Sequence, residues 1–225
     1  MSIEYHKGEL AIALDLSNPA RAMPPILPKH RRILDVGCGM GQSLLAARLP
    51  SDVEAYGVDC DLEAIDAGRR LAPRNIKLVC AGGENLPFED EYFDLVFSRV
   101  ALPYMDINEA LREISRVLKR GGDLWLALHP ASMLFSRAKR SAQAGNLKDI
   151  VYCSYVLLNG VLFDRFGIQI SFLGSQETFQ TLGGIVRAMK RVGLTCVPVR
   201  TSTHFIVQGQ KPSPDWGCGR EFFQA

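Results

Sequence analysis

The 225-residue chain lacks an excess of charge of either sign: 26 Lys and Arg stand against 24 Asp and Glu, which gives a formal net charge of +2. Proteins that bind nucleic acid through its phosphates carry a basic face or a strong positive charge. This balance gives no such signal, so we do not expect nucleic acid as a partner. With 47% hydrophobic and 22% charged residues, the composition is that of an ordinary globular domain.

The chain also lacks a long apolar run. A transmembrane helix needs ~20 consecutive apolar residues, whereas the apolar stretch at 10–16 is short and interrupted by Asp15. The first residues contain no apolar segment of the kind that a secretory signal peptide carries. We therefore expect no membrane span and a cytoplasmic location.

Paired cysteines are missing as well. The six cysteines are scattered, no two form a C-x-x-C pair, and the four histidines do not cluster near them. This arrangement excludes the usual zinc sites, and we expect no metal. Cys60 and Cys80 end apolar runs, where we expect small buried thiols. Thiols without partners are typical of a reducing compartment.

A glycine-rich loop follows the first apolar run, and residues 33–42 read ILDVGCGMGQ. Gly37, Gly39 and Gly41 carry no Cβ, so a ligand can approach the backbone closely. A helix starting just after the loop would aim free N–H groups at that ligand. The dinucleotide pattern G-x-G-x-x-G requires glycine where Gln42 stands, and no Gly-Lys-Ser/Thr of a P-loop follows. What remains is a nucleotide-binding corner of the form D-V-G-C-G-x-G.

Short apolar runs alternate with helical patterns from residue 31 to 128, which is typical of a parallel sheet with crossover helices. Asp61 and Asp106 can cap two of these helices. The second is expected to end at Lys119 and Arg120, before two glycines. The strands are expected at about 32–36, 54–59, 76–80, 93–98 and 123–129.

We expect one domain over residues 1–225, with simpler patterns on both sides of this core. A short helix is expected over 9–16 and another over 177–191. A closing hairpin is expected from 194–199 and 203–208. The parts are an N-terminal extension (1–30), a cofactor-binding half (31–130), an insertion rich in aromatic residues (131–175), a C-terminal helix and hairpin (176–210) and a tail (211–225).

A second acid supports the glycine loop. Asp59 ends the second apolar run about 20 residues beyond Gly37, where nucleotide-binding folds place an acid that binds a ribose diol. Capping a helix is the alternative role for this residue. Asp61 is better placed for capping, so we expect Asp59 to bind ribose.

Two further segments complete a resemblance to the class I S-adenosylmethionine-dependent methyltransferases. Residues 81–88 (AGGENLPF) and 93–96 (FDLV) resemble the family's G-D-A-E-x-L-P-F and F-D-x-V, and residues 117–124 (VLKRGGDL) resemble L-K-P-G-G-x-L. The resemblance covers 31–129 and, in outline, 176–208, and is close to the small-molecule branch that includes quinone C-methyltransferases. It implies an α/β fold: a doubly wound, mostly parallel, seven-stranded Rossmann-like sheet with a final antiparallel strand and a helical lid insertion.

The resemblance implies S-adenosyl-L-methionine as the cofactor and Asp59 as its ribose ligand. The family's adenine-binding aspartate is replaced by Gly82, so Glu84, a backbone carbonyl or stacking must take that contact. Asp35 could face the methionine amino group or bind the glycine loop. The expected cofactor-binding residues are Asp35, Gly37, Cys38, Gly39, Gly41, Gln42, Asp59, Cys60, Gly83, Glu84, Asn85 and Ser98.

The acceptor is expected to be a small molecule, because the Pro-Pro-Tyr/Phe motif of base-amine methyltransferases is missing after Ser98. The insertion suggests an apolar or aromatic acceptor, although its aromatic side chains could equally form a core of their own. His129 and Tyr104 are candidate general bases, and Arg99 could bind an acidic substrate or form a salt bridge.

Methyl transfer to such an acceptor would depend mainly on proximity and orientation. RNA or protein methylation remains an alternative, since a basic cluster at Arg137, Lys139 and Arg140 could meet a phosphate as well as solvent. A nicotinamide-dependent oxidoreductase and a non-catalytic binding protein remain as further alternatives.

Overall fold

The computed structural model describes residues 2–129, 131–172, 176–200 and 205–213, and within them seven strands pair into one sheet of order β3-β2-β1-β4-β5-β7-β6. Strands β1 to β5 are parallel, and β7 lies antiparallel between β5 and β6. This confirms the expected fold class. The strands are β1 Arg32–Val36, β2 Glu54–Asp59, β3 Ile76–Cys80, β4 Phe93–Arg99, β5 Leu118–Leu128, β6 Val197–Arg200 and β7 Phe205–Gln210.

The strand order reverses at β1. Leu34 pairs with Tyr56 of β2 on one side and with Val96 of β4 on the other, so the chain crosses to opposite sides of β1. Ligands of open α/β sheets bind outside the carboxyl ends of the strands at such a point. The central strands are buried on both faces, which explains their nearly continuous apolar sequence.

Seven α-helices and a short 3₁₀ turn at Leu102–Tyr104 connect the described strands. The predicted caps are confirmed: Asp61 accepts a hydrogen bond from the backbone N of Ala64 at 3.1 Å, and Asp106 accepts one from Asn108 at 3.0 Å. The helices are α1 Ile3–Leu14, α2 Gln42–Ala46, α3 Leu62–Arg69, α4 Ile107–Val117, α5 Ala131–Gln143, α6 Leu147–Phe166 and α7 Leu182–Arg191.

The expected helix over 9–16 was wrong in its bounds. Helix α1 starts at Ile3 because Ser2 caps it and accepts a hydrogen bond from the backbone N of Tyr5 at 3.3 Å. The helix expected over 177–191 also starts later, at Leu182. Thr181 caps it and accepts from Gly184 at 3.0 Å, which leaves the preceding residues free of helical geometry.

Strand β5 starts five residues earlier than expected, so Lys119 and Arg120 lie in the strand and not at a helix end. Leu118 is fully buried and pairs with Phe93. Lys119 binds Asp94 at 2.6 Å. The two hairpin strands start three and two residues later than expected, and residues 201–204 and 214–225 lie outside the described residues.

The prediction of buried thiols at Cys60 and Cys80 was wrong, because both side chains are exposed. Cys60 follows β2 and Cys80 is the last residue of β3, so both lie at the carboxyl edge of the sheet. There the thiol of Cys80 points to the carbonyl of Cys60 at 3.7 Å. Within the described part of the chain, none of the helices has the length and apolar character needed to cross a bilayer.

Candidate cofactor and acceptor sites

A cavity lies at the carboxyl ends of β1, β2 and β4, and we call it the rim cavity. It encloses about 740 Å³, counting the part open to solvent. The lining residues are Tyr5, His6, Gly37, Gly39, Gln42, Val58, Asp59, Cys60, Ala81, Gly82, Gly83, Glu84, Arg99, Val100, Ala101, Tyr104 and Met105.

The glycine loop shapes this cavity by close approach. Gly37 has φ +77°, and a Cβ on it would lie 2.1 Å from the Cβ of Ala101. The N–H groups of Gly37 and Cys38 donate to the carbonyl of Val58 at 2.8 and 2.9 Å. These two N–H groups are therefore not available to a ligand, because they bind the loop to the end of β2.

Asp59 lies where β2 ends, partly buried, and lines the rim cavity. Its Oδ2 accepts a hydrogen bond from the backbone N of Gly39 at 2.7 Å, and its Oδ1 accepts one from Asp61 at 2.9 Å. Each carboxylate oxygen has a second lone pair. The side chain is therefore held rigidly and can still accept from the two hydroxyls of a ribose.

Glu84 occupies the space beside Gly82. A Cβ on Gly82 would lie 3.0 Å from Oε2 of Glu84, and no other contact within 4 Å is found there. The Oε1 atom of Glu84 accepts a hydrogen bond from the backbone N of Asp106 at 3.0 Å. Gly82 stands where the family has an adenine-binding aspartate. The Oε2 atom of Glu84 lies beside the position that the side chain of that aspartate would occupy.

Several predicted cofactor residues lie outside the lining of the rim cavity. Asp35 is 1% exposed, and its Oδ1 has no hydrogen-bond partner in the structure. Burial raises the pKa of Asp35 to about 8, opposed by Arg99 and assisted by Asp59. Asn85 is exposed, whereas Ser98 is fully buried. The residues outside the lining are Asp35, Cys38, Gly41, Asn85 and Ser98.

Helix α1 closes one side of the rim cavity, which the sequence did not predict. Glu9 binds the guanidinium of Arg99 at 2.8 Å, and both side chains are largely buried. His6 is 4% exposed and packs against Gly39, whose added Cβ would lie 2.5 Å from Nδ1 of His6. Among the described residues neither ring nitrogen of His6 has a hydrogen-bond partner, and its Nε2 lies 3.7 Å from Oδ2 of Asp61. Of the two roles expected for Arg99, the salt bridge is the one observed, and its partner is Glu9 of α1.

A second cavity of about 630 Å³, counting its open part, lies beneath α5 and α6, and we call it the lid cavity. Tyr104 lines both cavities. The Tyr104 and His129 rings meet edge to face, with centroids 5.4 Å apart and planes at 87°. The other lining residues are Met133, Leu134, Arg137, Arg140, Val156, Glu177, Thr178 and Phe179.

The lid cavity combines apolar walls with a few charges. Glu177 accepts a hydrogen bond from the hydroxyl of Tyr152 at 2.7 Å. Nε of Arg137 binds Asp149 at 3.0 Å. Burial lowers the pKa of His129, and the charge of Glu177 opposes that shift. Sequence reasoning missed Glu177, which carried no local signal.

Comparison with known proteins identifies the core of this arrangement. Residues 34–126, which contain the glycine loop, Asp59 and Glu84, match the methyltransferase domain family. Over this part, less than half of the chain, the sequence is similar to methyltransferase domains. This similarity implies S-adenosyl-L-methionine as the cofactor. Structural neighbours described as S-adenosylmethionine-dependent methyltransferases, 17% and 20% identical, share the fold.

The chain is similar over about half its length to several proteins named as methyltransferases. It is 35% identical over 107 residues to the uncharacterized methyltransferase YcgJ of Bacillus subtilis (45% of this chain, 42% of that one). It is 33% identical over 128 residues to a malonyl-[acyl-carrier protein] O-methyltransferase of Halorhodospira halophila (55% and 43%). It is 35% identical over 99 residues to the quinone C-methyltransferase UbiE of Geotalea daltonii (40% and 42%). The matches span less than half the length of these relatives.

Solved structures support the fold over most of the chain. A Haloferax volcanii methyltransferase in complex with the activator Trm112 covers 92% of this chain and 89% of its own, with a TM-score of 0.59 and 19% identity. The Bacillus subtilis YcgJ structure covers 92% and 100%, with a TM-score of 0.54 and 18% identity. Within the described residues, no group of three or more His, Cys, Asp or Glu side chains could hold a metal ion.

Proposed function

We propose that this protein transfers a methyl group from S-adenosyl-L-methionine to a small-molecule acceptor bound in the lid cavity. The observation that carries the proposal is that Tyr104 lines both the rim cavity and the lid cavity. Methyl transfer requires the two reactants in contact and in line. A side chain shared by two cavities marks the place where such contact is possible.

The residues of the rim cavity fit the cofactor. Asp59 would bind the ribose, and the free oxygen of Glu84 would accept from the adenine amino group beside Gly82. Helix α1 would exclude water, because Tyr5 and His6 line the cavity and the Glu9–Arg99 pair fixes the helix there. When bound, S-adenosyl-L-methionine supplies an electrophilic methyl group, so the protein has mainly to position and desolvate the reactants.

The lid cavity favours an acceptor with an apolar or aromatic body. Met133, Leu134, Val156 and Phe179 line it beside six polar or ionisable residues, and small-molecule sites typically combine apolar walls with polar groups that orient the ligand. One relative is named for a malonyl-[acyl-carrier protein] acceptor and another for ubiquinone and menaquinone biosynthesis. RNA is disfavoured because Arg137 of the basic cluster is already paired with Asp149.

Calorimetry tests the proposal. We expect S-adenosylhomocysteine to bind with a Kd of ~1–100 µM and NAD not to bind. NAD binding without S-adenosylhomocysteine binding would replace the proposal with an oxidoreductase. A steeply salt-dependent gel shift with RNA would instead favour the alternative of RNA methylation.

A further inference from the structure

The structure describes three histidines, and the surroundings of the His129 imidazole differ from those of the His6 and His30 rings. His30 is buried and its Nε2 binds Asp123 at 2.8 Å. His6 is wedged against the glycine loop. The imidazole of His129 lines the lid cavity and makes no hydrogen bond to any described residue, while its backbone carbonyl accepts from Gln180 at 3.4 Å. Its ring is therefore available to a ligand.

The ring of His129 lies at the junction of the two cavities. It follows β5 at the carboxyl edge of the sheet, and its neighbour Tyr104 contacts the rim cavity. Glu177 faces it from the segment before α7, with the Tyr152 hydroxyl bound to that carboxylate. Arg137 and Arg140 of α5 line the same cavity. Asp149 binds Arg137 and adds a further charged group beside the cavity.

We propose that His129 is the catalytic proton acceptor and that the acceptor's reacting group is an acidic hydroxyl, such as a phenol or an enol. The inference rests on the proposed function. An imidazole near neutral pH can take a proton from a weak acid of this kind during methyl transfer, and the proton transfer is more favourable than from an aliphatic alcohol, whose pKa is much higher. Phe179 and the aliphatic lining residues suit an aromatic ring.

The step balances without a further reactant. The hydroxyl proton passes to a ring nitrogen of His129, the oxygen lone pair forms the new O–CH₃ bond, and the electrons of the broken S–CH₃ bond remain on sulfur. Glu177 stabilises the imidazolium that forms, since its charge favours the protonated ring. The proton then leaves to solvent. Before the reaction, burial keeps the ring neutral because it lowers the pKa of His129.

The test uses 4-nitrophenol, whose anion absorbs visible light, as a probe of the full chain saturated with S-adenosylhomocysteine. Across about pH 5 to about pH 9, we expect the bound probe to form its anion at a lower pH than the free probe. Calorimetry in buffers of different ionisation enthalpy should show no proton released, because His129 has taken it.

His129→Gln should abolish the anion band of the bound probe below neutral pH and weaken probe binding by ~10-fold or more. His129→Asn serves as a second variant, and unchanged S-adenosylhomocysteine binding shows that either variant is folded. Lys139→Gln is the matched control, because Lys139 is exposed on α5 and does not line the cavity.

The outcomes separate the inference from the proposed function. If the protein binds S-adenosylhomocysteine but not the probe, or if both His129 variants still bind the probe as its anion, the role of His129 is wrong and the methyltransferase proposal stands. If S-adenosylhomocysteine itself does not bind, the proposed function fails and the inference fails with it.

Discussion

The carboxylate of Asp59 holds the glycine loop in place by accepting a hydrogen bond from the backbone N of Gly39 at 2.7 Å. The same carboxylate is expected to bind the ribose, so one side chain couples the shape of the loop to the cofactor. The loop itself cannot bind the ligand through the N–H groups of Gly37 and Cys38, because the carbonyl of Val58 takes both.

Asp59→Ala should therefore weaken S-adenosylhomocysteine binding by about 2 kcal/mol or more, because hydrogen bonds to a charged acceptor are lost and the loop is released. Calorimetry measures the change. Asp66→Ala is the control, since Asp66 is exposed on α3 and pairs only with Arg69 among the described residues. Unchanged affinity in a folded Asp59 variant would remove this residue from the site.

Because of Glu84, the binding affinity should depend on the amino group of adenine. We expect the protein to bind S-adenosylhomocysteine about fivefold more tightly than its inosine counterpart, since one hydrogen bond is worth roughly 1 kcal/mol. In Glu84→Gln this preference should fall, because the amide replaces one acceptor oxygen with a donor, while the remaining oxygen can still accept from Asp106. An unaltered preference would assign adenine recognition to the backbone or to stacking.

The Glu9–Arg99 pair should control how long the cofactor stays bound. Glu9→Gln weakens the attachment of α1 to the end of β4, so we expect faster release of S-adenosylhomocysteine in stopped-flow measurements, by a few fold, with little change in association. Glu4→Gln is the matched control, because Glu4 pairs with Lys7 at the surface of the same helix. Equal release rates in both variants would show that α1 does not cover the site.

The sequence predicted the parts of this protein that depend on short segments. Asp61 and Asp106 cap their helices as expected because a cap needs only the next two or three residues. Asp59 lines the rim cavity as expected because the carboxyl ends of parallel strands lie at one edge of the sheet. The position of α1 over the cavity and of Glu177 beside His129 depended on contacts between distant segments, and no local pattern encodes them. The prediction that Cys60 and Cys80 are buried was wrong because both lie at strand ends, where the carboxyl edge of the sheet is open to solvent.

Asp35 makes stability depend on pH in a direction opposite to that of most carboxylates. Its pKa is raised to about 8 by burial, with Arg99 opposing and Asp59 adding to the shift. Between the ordinary pKa of an aspartate near 4 and this value, the folded state keeps a proton that the unfolded state has lost. The free energy of unfolding should therefore fall as pH rises through that window, by up to about 1.4 kcal/mol per pH unit.

Asp35→Asn removes the ionisation and keeps the shape of the side chain. We expect the excess of its free energy of unfolding over that of the unchanged protein to be larger at about pH 8 than at about pH 5, because only the carboxyl loses stability when the unfolded state releases its proton. Urea denaturation at the two pH values measures this difference. Asp66→Asn should retain the original pH dependence, since its side chain is exposed. If Asp35→Asn also retains it, another buried group is responsible for the pH dependence.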